Sequence, residues 1–256
     1  MMMTASLTLN PILIAAAIIP AVFLLARVYK ADRLDREPMG LLLSLVLFGI
    51  LSTFVAVVLE VIGGAILASF LSEDTLLFNV IEYFVVVACS EECAKYVLLK
   101  LRTWRSPHFN CQFDGVVYAV FVSLGFALWE NIGYVIQNGW ATAVVRALTA
   151  VPGHACFGVF MGVFYGAAKR YDGMKRPLLC KRCRRLSLLF PILMHGAYDF
   201  IATLSATGSG WFFVVFIVIM FIIGMRIIKN AARTDRYITE PTDTDTPDLP
   251  DMPTQF

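Results

Sequence analysis

Residues 76–99, LLFNVIEYFVVVACSEECAKYVLL, have the length and apolar ends of a membrane-spanning helix, yet they carry Glu91, Glu92 and Lys95 within five positions. A charged side chain near the bilayer centre costs at least about 2.5 kcal/mol, so three together need partners, water or a chemical task. Partners of the right kind lie in the other apolar stretches: Glu130, His154, His195 and Asp199.

The surrounding composition sets the class. The chain is 59% hydrophobic and 16% charged, with a mean hydropathy of +0.74, which predicts an all-α polytopic transmembrane helical bundle and excludes an ordinary soluble domain. Apolar runs near the roughly 20 residues needed to span fall at 11–28, 39–60, 76–99, 115–137, 142–168, 186–204 and 211–228, giving about seven spans. The second run continues past Gly63 and Gly64 to Leu71, too long for one straight crossing. A break at the glycine pair, followed by a short helix on the membrane surface, is expected there.

Basic residues set the orientation. With the N-terminus outside, every one of the 21 Lys and Arg except Lys95 and Arg146 falls in an inner loop or flank. The C-terminus is then cytoplasmic. No basic residue precedes the first apolar run and no cleavage site follows it, so that run reads as a retained span of a multi-pass cell-membrane protein. Residues 1–238 form one membrane domain. Residues 239–256, rich in Pro, Thr and Asp, read as a disordered cytoplasmic tail. The inner bases are scattered over four loops, which suits the lipid bilayer as a partner and argues against nucleic acid.

The cysteines lie in spans or on the inner side, so structural disulfides are not expected. Two inner half-sites, His108-x-x-Cys111 and Cys180-x-x-Cys183, have the residue types of a structural zinc site. Reduced thiols in basic loops are the alternative reading.

The ionisable residues within the spans are patterned. Lys95 reaches Glu91 at four residues and Glu92 at three along one helical face. Phe126 and Glu130 share a face, with Asn131 next to the carboxylate. Pro152 and Gly153 precede His154, where they are expected to loosen the backbone beside the imidazole. His195 and Asp199 are four apart, a spacing at which a carboxylate orients an imidazole. Any one of these groups reads equally well as a compensated packing cluster. Four on successive spans read as a site, because buried ionisable groups in membranes are costly. At about 1.5 Å per residue, Glu91 and His195 lie roughly 13 Å from the inner ends of their spans, and Glu130 and His154 roughly 22–24 Å. One elongated polar pocket can hold them all.

In this order, Glu91-Glu92-Cys93-Ala94-Lys95, Phe126-Ala127-Leu128-Trp129-Glu130-Asn131, His154 and His195-Gly196-Ala197-Tyr198-Asp199 resemble the motifs of the PrsW intramembrane proteases, relatives of the type II CAAX prenyl endopeptidases and the bacterial Abi (CPBP) proteins. The resemblance covers roughly residues 76–204. It implies hydrolysis of a membrane-anchored protein, in the best-known family setting an anti-sigma factor cut in a stress cascade. It also implies roles: Glu91 as the base, supported by Glu92 and Lys95; Glu130 positioning the water; His195, oriented by Asp199, at the oxyanion; His154 lining the cavity; and Phe126 and Asn131 in support. No cofactor is needed for that chemistry. The competing mechanism makes His154, His195 and Glu91 ligands of a catalytic zinc. A third reading, from a different class, is a proton-coupled transporter, which also uses buried Glu, His, Asp and Lys. The inverted repeats and paired broken helices common in transporters are not visible here.

Overall fold

The computed structural model describes residues 11–204 and 210–238; the expected tail, 239–256, lies outside them. The described chain is helical: α1 (Pro11–Ala31), α2 (Met39–Phe70), α3 (Leu76–Ile81), α4 (Ala88–Thr103), α5 (Asp114–Leu148), α6 (Ala150–Gly173), α7 (Pro177–Leu204) and α8 (Gly210–Arg233). A π-helical segment, Glu82–Val87, joins α3 to α4. Five stretches are long and apolar enough to cross a membrane: Pro11–Ala31, Met39–Phe70, Asp114–Gly173, Pro177–Leu204 and Gly210–Arg233. The third contains both α5 and α6, which meet at Thr149. The outer surfaces of α2 and α8 expose Phe54, Val58, Val61, Val214 and Ile219, an apolar coat that suits lipid and not water.

The centre of the bundle is α5 against α6. Gly158, Gly162 and Gly166 repeat every four residues along α6, and a Cβ on Gly162 would run into the backbone of Gly115 and Val116. Without a hydrophobic drive between helices in lipid, such close backbone approach and its dispersion contacts hold the pair. Gly49 on α2 and Gly125 on α5 make a second close crossing.

Two expectations are corrected here. Gly63 and Gly64 do not break α2, which runs unbroken for 32 residues. A helical glycine costs only about 1 kcal/mol relative to Ala, and here the missing side chain is used for packing: a Cβ on Gly63 would lie 2.9 Å from Val86 of the π segment. Pro152 does not loosen the middle of a span either. It stands in the first turn of α6, where its missing N–H costs nothing, so His154 sits near the start of that helix.

At the end of the bundle that bears the basic loops, three distant segments are pinned together. Asp114 accepts from the backbone N–H of Asn110 and Cys111, Asp235 accepts from Phe113 N–H, and Tyr118 donates its hydroxyl to Glu37. Glu37 Oε2 and Asp114 Oδ1 are buried without a hydrogen-bond partner among the described residues. Desolvation by burial, reinforced by neighbouring carboxylates, pushes Asp32 up to about 6 and Glu37 up to about 7. A carboxyl raised on folding binds more protons folded than unfolded, so its contribution to stability is full below its unfolded pKa and is lost as pH rises through the folded one. Thermal stability in detergent should therefore fall between pH 4.5 and 7.5. Glu37→Gln keeps the Tyr118 contact and should lose less over that range, by about 1–3 kcal/mol. Parallel curves for the two proteins would contradict this.

Candidate active site

The ionisable groups of α4, α5, α6 and α7 meet. On α4, the Lys95 Nζ lies 2.9 Å from Glu91 Oε2 and 2.8 Å from Glu92 Oε1. It also lies 3.3 Å from His154 Nδ1 on α6, and 3.9 Å above the Phe126 ring of α5, a cation–π contact. Lys95 and Glu92 are fully buried. These positions follow the π segment, where the extra residue per turn rotates everything after it relative to an uninterrupted α-helix.

An ammonium only donates, so His154 Nδ1 accepts from Lys95 and the ring proton belongs on Nε2. That nitrogen lies 3.0 Å from Glu130 Oε2, to which it donates. Glu130 is held in turn by Arg146 at 2.8 Å. Arg146 Nε donates to Asn131 Oδ1, while Asn131 Nδ2 donates to the Ala17 carbonyl of α1. On α7, His195 Nδ1 lies 2.9 Å from Glu92 Oε1 and Nε2 lies 3.3 Å from Asp199 Oδ2. Phe157 stacks on His195, with ring centroids 4.6 Å apart. The Ser123 hydroxyl donates to the His154 carbonyl, fixing the helix that carries the imidazole.

All six expected site residues, with Lys95, Phe126 and Asn131, thus fall in one connected cluster. One further member, Arg146, lies outside the expected set. Arg146 had been seen only as a basic residue within a span; its cost in the membrane was the available signal.

The zinc expectations fare differently. Among the described residues, the group of possible ligands that converges is Glu91, Glu92 and His154, with the atoms they offer within 4.8 Å of one another. The expected set had His195 in place of Glu92. The donor types suit zinc, but the Lys95 ammonium sits within 2.8–3.3 Å of one atom of each, where a metal ion would compete with it. A metal held there would have to share these three side chains with the ammonium. His108, Cys111, Cys180 and Cys183 do not converge as a ligand group. Cys111 is buried in a backbone bridge with Tyr237, and the Cys180 thiol lies 4.0 Å from Asp172.

The fold and the cluster define an integral membrane protein with an ionisable site buried between helices. Comparison with known proteins makes the assignment specific: the chain belongs to the PrsW family, whose model, described as "PrsW family intramembrane metalloprotease", matches residues 37–225. It is 35% identical to Protease PrsW of Bacillus subtilis (strain 168), over 86% of this chain and 95% of that protein. It is 33% identical to Protease PrsW of Geobacillus kaustophilus (strain HTA426), over 86% and 92%. No solved structure matches. The chain is thus a membrane-embedded protease of this family, which sets aside the transporter reading of the same buried groups.

Proposed function

We propose that the chain cuts a membrane-anchored protein with water activated by Glu91 and without a metal. The observation that carries the metal-free choice is Lys95, whose ammonium lies within 2.8–3.3 Å of Glu91, Glu92 and His154. Glu91 is preferred over Glu92 as the base because its side chain keeps 7% exposure, whereas that of Glu92 is fully buried and shared between Lys95 and His195. Glu91 takes a proton as the water oxygen bonds to the scissile carbonyl carbon, then passes it to the leaving amine as the C–N bond breaks. His195, its ring held through Nδ1 by Glu92, donates from Nε2 to the carbonyl oxygen as it becomes negative, with the Asp199 carboxylate 3.3 Å from that nitrogen favouring the charged ring. Glu130, 24% exposed and held by His154 and Arg146, positions the water.

Counting α5 and α6 separately and adding the α3–α4 unit gives seven spans. With the basic loops cytoplasmic, the N-terminus is outside, and the family resemblance favours a cut on the substrate's outer side. A single-pass anti-sigma factor is the substrate that the family resemblance favours. The test is to co-reconstitute the protein with candidate single-pass proteins and locate any cut by mass spectrometry, with proton-coupled uptake measured in parallel. A cut in or beside the substrate's span is expected. Uptake without any cut would overturn the proposal.

A further inference from the structure

A groove of about 1020 Å³ opens between α1 and α8, and none of the ionisable site residues lines it. Its floor is apolar and belongs to the central pair: Val120 of α5, and Ala155, Cys156 and Val159 of α6. Its rim is basic on both sides. Arg27, Lys30 and Arg33 come from the last turn of α1 and the residue pair after it, and Arg226, Lys229 and Arg233 from the last two turns of α8. All six are exposed, and none has a carboxylate within ion-pair distance among the described residues.

A gap of this size inside the hydrocarbon layer has to be filled, and what faces lipid there is acyl chain. Six uncompensated cations at the headgroup level of the same gap repel one another until an anion joins them. Basic pockets between helices on the cytoplasmic side are where anionic headgroups bind. We propose that the groove is a binding site for one anionic phospholipid, its acyl chains against the α5–α6 floor and its phosphate between the α1 and α8 bases. The floor includes Ala155 and Cys156, the two residues after His154, so the lipid would rest on the back of the helix that carries this imidazole.

Native mass spectrometry of the full-length protein, mixed with equal phosphatidylglycerol and phosphatidylcholine in non-ionic detergent, tests this directly. The wild type should retain phosphatidylglycerol at least tenfold over phosphatidylcholine, and excess glycerol 1-phosphate should not displace it. Arg27→Gln/Lys229→Gln/Arg233→Gln should bring the two lipids to parity with an unchanged melting temperature in phosphatidylcholine. Ile222→Trp, which fills the groove and leaves every base in place, should lower retention of both. Equal retention of the two lipids by the wild type, or an undiminished preference in the triple variant, would overturn the site. The acidic tail is the competing occupant: if Glu240→Gln/Asp243→Asn/Asp245→Asn is needed before any lipid binds, the tail and not lipid fills the groove.

Discussion

Glu91→Gln is expected to lower turnover about 10³-fold, within the range that a positioned acid–base group contributes, while the folded protein accumulates as usual. The amide keeps the shape of the carboxyl and can still accept from Lys95 Nζ, now 2.9 Å away. What it cannot do is take a proton from water and return it to an amine. Because Glu92 retains its ion pair with Lys95 at 2.8 Å, the charge on the ammonium stays compensated and the fold should hold. Single-turnover cleavage of a reconstituted substrate separates this from a binding defect. Near wild-type turnover would remove Glu91 from the base role and shift it to Glu130, the more exposed carboxylate.

Lys95→Met should have the largest effect on stability. The ammonium is fully buried among Glu91, Glu92 and His154. Removing one partner of such a cluster leaves the others buried without compensation, typically at about 3–5 kcal/mol. The variant is expected to melt well below the wild type and to be inactive. Adding Glu92→Gln removes a charge of each sign and should recover part of the loss, a coupling that a double-mutant cycle reads as non-additivity. A stable, active Lys95→Met protein would mean that the lysine is not the cation that holds this site together.

Much of this site was legible without coordinates because membranes make ionisable residues conspicuous: Glu91, Glu92, Lys95, Glu130, His154, His195 and Asp199 stand out of apolar runs, and their common cost argues that they meet. Other features left weaker traces. The π segment Glu82–Val87 has no compositional mark, since Tyr, Phe and Val suit an α-helix in lipid equally well. Gly63 and Gly64 read as a break because glycine's conformational cost is visible in a sequence, whereas the neighbour that exploits its small size, Val86, is not. Gly158, Gly162 and Gly166 carry the opposite lesson: their four-residue repeat is the mark of a close helix crossing and points to the α5–α6 pair. The His108, Cys111, Cys180 and Cys183 pattern had the residue types of a zinc site, but metal binding needs convergence, and the bridge to Tyr237 holds Cys111 elsewhere.

The choice between a glutamate-activated water and a metal is decided most directly by metal content measured alongside activity. Purified protein would be chelated in steps, with bound zinc per chain and substrate cleavage read on the same samples, and the Cys180→Ser/Cys183→Ser variant would exclude zinc held by the inner loops. The account predicts that cleavage persists after all zinc is gone, and that His154→Ala slows turnover without changing zinc content. One zinc per chain that disappears with activity on chelation, returns with it on adding zinc, and is lost in His154→Ala would contradict it.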